Sequence, residues 1–360
     1  MATVDSRTVR LLTVIGARPQ FIKAAPVSRI LRQKHEEMLL HTGQHYDDAM
    51  SNLFFRQLEI PAPDWNLDIG SGPHGAQTAA MLSGIENIAT EQRPDWVLVY
   101  GDTNSTLAGA LAGAKLHIPV AHVEAGLRSF DRRMPEEINR IVADHISDLL
   151  LCPTPVGVAN LKREGIEKGV VQVGDVMYDA FRQNLEVARK DCSIVEDLGL
   201  ERGGFQLLTV HRADNVDRRD QLAAILRGVS ESGKQTIFPV HPRTRAALDS
   251  VHVDAGANVR MIEPVGYLEM LVLEENAEAI VTDSGGVQKE AYFAGRPCVT
   301  LRETTEWTET VDAGWNVLVG TNSSAIAEAM RGFRPAGERP SLYGDGHASE
   351  RVVEALESRG

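Results

Sequence analysis

The sequence predicts an α/β protein built from two parallel-sheet domains, and three observations predict it. Short apolar runs that end in polar loops alternate with helical segments of about 10 to 15 residues, the pattern of a doubly wound parallel sheet. The pattern restarts after a polar helical stretch, Tyr178 to Asp197, so it is read twice. A chain of 360 residues is also long for one hydrophobic core and comfortable for two. We place the first domain at residues 1–175, joined by a C-terminal helix at 347–360, and the second at 176–346.

In the first domain, Val9 to Ile15 is a strand that stops at Gly16. The loop Gly16-Ala17-Arg18-Pro19 feeds a helix carrying Phe21, Ile22, Lys23 and Val27. Arg18 and Lys23 near that helix N-terminus favour an anion; the alternative is a plain turn with solvated cations. Met38 to His41 is a second strand, and Pro61-Ala62-Pro63 stops a helix over Asp48 to Leu58. Gly70 to Gly75 matches GxGxxG literally, yet the preceding DWNLD is no buried strand. We therefore read a loop leading into a helix over Gln77 to Thr90, without a dinucleotide site. Trp96 to Tyr100 and Pro119 to Val123 are the central strands. Between them LAGALAGAK, Leu107 to Lys115, is a helix of small residues that can lie close on the sheet. Leu149 to Cys152 and Val170 to Val173 complete the series.

The second domain repeats the scheme. Gln206 to Val210 ends in His211-Arg212, and Thr236 to Val240 ends in His241-Pro242-Arg243. Val259 to Ile262, Ala279 to Thr282 and Cys298 to Leu301 continue it, and His347 to Leu356 is the last helix.

Composition narrows the function. Lys+Arg 37 against Asp+Glu 50 gives a formal charge of −13, which excludes a general nucleic-acid or anionic-membrane surface. A small anionic ligand is not excluded, because local arginines and helix N-termini decide that. Cys152, Cys192 and Cys298 are scattered and form no CxxC, as suits a reducing cytoplasm rather than a disulfide framework or a zinc ribbon. The apolar run Leu11 to Ile15 is too brief for a secretory signal or a membrane span. Eleven histidines show no HExxH or HxH spacing, so no metal site is expected. No GxSxG and no GxxxxGK[ST] occurs.

Chemistry is concentrated at strand ends, where ligands bind in parallel α/β sheets. Asp102 and Glu124 each follow an apolar strand, and Glu136 opens the next helix at Pro135-Glu136-Glu137. Any one of them alone suits a salt bridge to Arg128, Arg132, Arg133 or Arg140. Together they read as acid–base equipment for moving a proton. In the second domain, Ser284, Gly285 and Gly286 make a strand–turn–helix nest able to hold a diphosphate. The alternative is a glycine turn with Ser284 as N-cap. Glu290, one turn into that helix, can accept from sugar or ribose hydroxyls. His211 suits an electrostatic or acid role beside a departing phosphate, whereas His241 suits a structural role equally well. A ligand clamped between the two domains accounts for both devices.

These residues carry a resemblance. GARPQFIK, TGQHYD, GDTNSTLAG, HVEAGLRS, MPEEINR, VHRADN, PVHPR, EPVGYLEML and TDSGGVQKEA are similar to motifs of the non-hydrolysing UDP-N-acetylglucosamine 2-epimerases. The resemblance runs from about Leu11 to the YGDG segment, Tyr343 to Gly346, and its helix. It implies a GT-B architecture, two Rossmann-like domains with nucleotide sugar in the cleft between them, in a cytoplasmic homodimer without cofactor. It implies inversion at C2 of a UDP-N-acetylhexosamine, UDP-GlcNAc to UDP-ManNAc, through loss and re-addition of UDP across a 2-acetamidoglucal. By resemblance Asp102, Glu124, Glu136 and His211 are catalytic. Arg18, Lys23, Gln44, His45, Arg140, His241, Ser284, Gly285, Gly286, Glu290 and Trp307 would bind the UDP-sugar.

Two departures stand out. After Thr304-Thr305-Glu306, family members specific for UDP-GlcNAc often carry Arg-Pro, whereas this chain has Trp307-Thr308; relatives with Trp there include enzymes of modified sugars such as UDP-2,3-diacetamido-glucuronate. Asp47 and Ala76 stand where bacterial members carry the Gln and Arg of an allosteric UDP-GlcNAc site, so activation by substrate should be weak or absent. The competing readings are a hydrolysing epimerase and, in another class, a GT-B glycosyltransferase.

Overall fold

The computed structural model describes residues 8–44, 61–248 and 255–359, with the Arg18 side chain outside that description. His45, Asp47 and the helix expected over Asp48 to Leu58 lie outside the described residues. The chain divides into two units, Met1–Ala180 with Tyr343–Gly360, and Phe181–Leu342. The division falls inside the helix Val176–Asp191 rather than at residue 175.

In the first unit the described strands form a seven-stranded sheet in the order β3-β2-β1-β4-β5-β6-β7. They are β1 (Arg10–Ile15), β2 (Glu36–His41), β3 (Trp65–Asn66), β4 (Trp96–Tyr100), β5 (Val120–Val123), β6 (Leu149–Cys152) and β7 (Val170–Gln172). Every pairing is parallel, with Tyr100 opposite Val123 and Val123 opposite Leu151. Strands β4, β5 and β6 are buried at every position, which is why they read as continuous apolar runs rather than alternating ones. Strand order reverses between β1 and β4, so the loops after these two strands flank the switch point where α/β sheets take their ligands.

The helix Asn104–Lys115 lies against this sheet at very short range. A Cβ on Gly109 would meet Val99 Cγ1 at 2.8 Å, and one on Gly113 would meet Val120 Cγ2 at 2.7 Å. The glycines therefore set the approach of helix to sheet, as the small-residue run predicts. Gly109→Val should overpack this contact and cost about 1–3 kcal/mol, read as a lowered thermal unfolding midpoint.

The second unit holds a six-stranded parallel sheet in the order β10-β9-β8-β11-β12-β13. Its strands are β8 (Gln206–Thr209), β9 (Thr236–Pro239), β10 (Val259–Ile262), β11 (Ala279–Thr282), β12 (Cys298–Thr300) and β13 (Asn316–Leu318). Leu208, Phe238, Val281 and Val299 pack against Leu222, Ile225 and Leu226 of the helix Arg219–Ser232, with Ile326 and Met330 beside them. Strands β3 and β13 escape the sequence pattern because they are two or three residues long and lie at sheet edges.

The last helix, Ala348–Glu357, belongs to the first unit. Asp179 accepts from the backbone of Ala348 at 3.2 Å and Ser349 at 2.6 Å, satisfying amides of its first turn. Val352, Val353 and Leu356 are buried. Among the described residues no helix is long and apolar enough to cross a membrane.

Candidate active site

At the end of β4, Gly101 takes φ 64 and hands the chain to Asp102; at the end of β5, Glu124 takes φ 72. A left-handed glutamate costs roughly 1–3 kcal/mol and is kept only where its surroundings fix it. Glu124 Oε1 meets Lys23 Nζ at 2.7 Å, with both side chains under a tenth exposed. A Cβ on Gly101 would lie 2.9 Å from that Nζ, so the glycine makes room for the pair. Asp102 pairs with Arg140 Nη2, while Arg140 Nη1 donates to Glu137 at 2.9 Å. Asn139 Nδ2 holds the Asp102 carbonyl at 2.9 Å. Burial opposes the Arg140 charge, but Asp102, Glu137 and Glu124 outweigh it and raise its pKa. Lys23, Asp102, Glu124 and Arg140 thus form one network of alternating charge.

The two adjacent glutamates of the helix Pro135–Ile146 differ sharply. Glu137 is buried and accepts from Ser129 N, Ser129 Oγ and Phe130 N, each at 2.9 Å. Burial pushes its carboxyl up, yet these bonds and Arg140 hold it below the usual range. Glu137 therefore anchors the basic loop. Glu136 is exposed at the helix start, and among the described residues it makes no hydrogen bond or ion pair. It is the one proposed acid that the network does not include.

Further polar side chains brace the scaffold around these strand ends. Gln44 Oε1 accepts from Ser105 N at 3.1 Å and Ser105 Oγ at 2.8 Å. Gln20, absent from the sequence-derived site, accepts from Gly16 N at 2.8 Å and Ala17 N at 3.0 Å and donates to Tyr100 O at 2.9 Å. The amides of Gly16 and Ala17 are thus taken, and Lys23 turns to Glu124. His122, also missed, is fully buried between Asp144 (2.7 Å) and the Gly101 carbonyl (2.7 Å). The buried Asp144 also takes Arg128 Nη1 at 2.6 Å.

In the second unit Asp283, at the end of β11, is fully buried and collects donors. His211 N lies 3.1 Å from its Oδ1, Arg212 N and Asn215 Nδ2 lie 3.0 and 3.1 Å from Oδ2, and the His211 ring lies 3.3 Å away. Burial pushes the Asp283 carboxyl up, but the His211 ring and these donors hold it below its ordinary value. The other side of His211 is open, its side chain being 47% exposed. The sequence marked His211; its orienting carboxylate was hidden in plain view beside Ser284.

Ser284 Oγ caps the helix Gly285–Phe293 by accepting from Val287 N at 3.4 Å. Glu306 lies against Gly285, where a Cβ would come within 2.1 Å of Oε1, and pairs with Arg302 at 2.9 Å. Trp307 is turned inward: its Nε1 donates to the Gly285 carbonyl at 2.9 Å, and Lys289 Nζ sits 4.3 Å from its ring centroid. The indole braces the glycine turn from beneath. Glu290 is buried and His241 exposed, with Nδ1 accepting from Arg243 N at 3.3 Å. Among the described residues no group of three or more metal-ligating side chains gathers.

Each unit is a parallel sheet with polar groups gathered at its strand ends, charged pairs in the first and a histidine held by a buried carboxylate beside a glycine turn in the second, the places where α/β proteins bind small ligands. A family model described as UDP-N-acetylglucosamine 2-epimerase matches residues 29–357. A "UDP-N-acetylglucosamine 2-epimerase homolog" of Methanococcus maripaludis is 54% identical, over 97% of this chain and 99% of its own. The "UDP-2,3-diacetamido-2,3-dideoxy-D-glucuronate 2-epimerase" of Pseudomonas aeruginosa is 49% identical over 97% of this chain and 99% of its own. The crystal structure of Methanocaldococcus jannaschii UDP-GlcNAc 2-epimerase in complex with UDP-GlcNAc and UDP superposes with a TM-score of 0.84. That chain is 45% identical, and the match covers 98% of this chain and 100% of that one. The chain belongs to the UDP-N-acetylglucosamine 2-epimerase family, and it is an isomerase.

Proposed function

We propose that the enzyme inverts C2 of a UDP-2-acetamido sugar, with UDP-GlcNAc and UDP-ManNAc as the pair. The observation that carries this reading is the buried Lys23–Glu124 pair beside the partly exposed Asp102–Arg140 pair, a charge network at neighbouring strand ends. The C2 proton is only weakly acidic, so its removal is coupled to departure of UDP from C1. A carboxylate takes the proton, the C1–O bond breaks, and a 2-acetamidoglucal forms. UDP then adds back while a second acid protonates C2 from the other face. Asp102, Glu124 and Glu136 supply the carboxylates. His211, oriented by Asp283, stabilises the diphosphate as it leaves, and the Ser284–Gly286 turn binds it. The family resemblance adds a cytoplasmic homodimer, testable by light scattering.

Trp307 in the place of Arg-Pro, with the 49% identity to the diacetamido-glucuronate enzyme, favours a second reading in which the sugar is modified in that way. Proton NMR of UDP-GlcNAc with the enzyme in D2O tests the first. UDP-ManNAc signals with deuterium at C2 are expected. Stoichiometric free UDP would mean a hydrolysing enzyme, and no turnover would turn attention to the diacetamido-uronate or to a transferase awaiting an acceptor. Rates should depend hyperbolically on substrate, since Ala76 offers no donor at the exposed start of the helix His74–Gln92. A sigmoidal curve would overturn that expectation.

A further inference from the structure

The second unit carries a cavity of about 690 Å³ at the amino ends of its strands, the edge opposite His211 and Asp283. Gly203, Asn276 and Arg296, just ahead of β8, β11 and β12, line it. Its volume falls within the range of small-ligand sites, roughly 300–1,000 Å³. Val195 and Val272 supply an apolar wall.

The charges around it are unevenly matched. Arg189 binds Glu275 through Nε at 3.1 Å, and Arg202 lies 3.5 Å from Glu196. Arg296 has no such partner: among the described residues its guanidinium makes no hydrogen bond or ion pair, and its Nε is buried. A buried N–H donor left without an acceptor is unfavourable, and a guanidinium fork is shaped to take two oxygens of one oxyanion. We infer that this cavity binds a small metabolite bearing a phosphate or carboxylate group, anchored on Arg296. The apolar wall takes its carbon skeleton.

The site comes with its own reporter. Cys192 lines the cavity and is partly exposed, whereas Cys152 and Cys298 are buried. Its thiol is pushed up by burial and by Glu269 and Asp191, so alkylation is followed at pH above 8. The experiment measures Cys192 alkylation by mass spectrometry in the full chain saturated with UDP, titrated with inorganic phosphate in one arm and malonate in the other. Slowing of at least fivefold in either arm, lost in Arg296→Gln with kcat and KM unchanged, is the expected result. The arm that protects identifies the oxyanion class. No slowing of the wild-type reaction in either arm overturns the inference without recourse to a variant. Equal protection in Arg296→Gln overturns it as well.

Discussion

Glu124→Gln is expected to lose about 10²–10⁴ in turnover while binding UDP as tightly as the parent chain. The amide keeps the shape of the side chain and leaves the left-handed backbone at φ 72 undisturbed. It removes the ability to take or return a proton and, with it, the negative charge that faces Lys23. Lys23→Met provides the complementary result. Removing the ammonium 2.7 Å from the carboxylate disturbs the same pair from its other side, so turnover should fall here too. Rates followed by NMR check both variants. Full activity in Glu124→Gln would remove this residue from the proton-transfer set, leaving Asp102 and Glu136.

His211→Asn should fall by a similar factor, with weaker UDP binding as well, because the ring is proposed to work on the diphosphate. Asp283→Asn should move the same way with a smaller loss, since the ring remains but loses its orienting carboxylate. The variant also carries a signature in stability. Asp283 is held below its ordinary pKa in the fold, so its contribution is fully present above the unfolded value of about 3.9 and is lost as pH falls through the depressed native one. Acid unfolding of Asp283→Asn should therefore depend less steeply on pH below about 4 than that of the parent. An unchanged slope would contradict the assignment.

Much of this was legible because burial on both faces leaves an uninterrupted apolar strand, and a polar residue at its end then stands out. Asp102, Glu124, His211 and Ser284 were found in that way. What escaped depends on chain segments distant in sequence. Gln20 bridges the ends of β1 and β4, which are neighbours only because the strand order reverses there. Glu136 and Glu137 are adjacent acids at one helix start, and only the position of the basic loop decides that Glu137 turns inward. The bond from Trp307 Nε1 to the Gly285 carbonyl joins residues that only the fold brings together. Buried polar groups of this kind are set by their partners, and the partners are a tertiary property.

The return of Tyr343–Gly360 to the first unit has a consequence for how the protein is made. A ribosome delivers Met1–Ala180, then all of Phe181–Leu342, and only then the helix that covers the first unit. The second unit emerges whole and can fold in the order of synthesis, whereas the first must wait for the segment from Tyr343 onward. Until they arrive, Asp179 has no amides of Ala348 and Ser349 to receive, and the surface that buries Val352, Val353 and Leu356 stays uncovered. A nascent chain stalled before Ala348 thus presents a finished second half and an unfinished first, a natural target for chaperones and proteases.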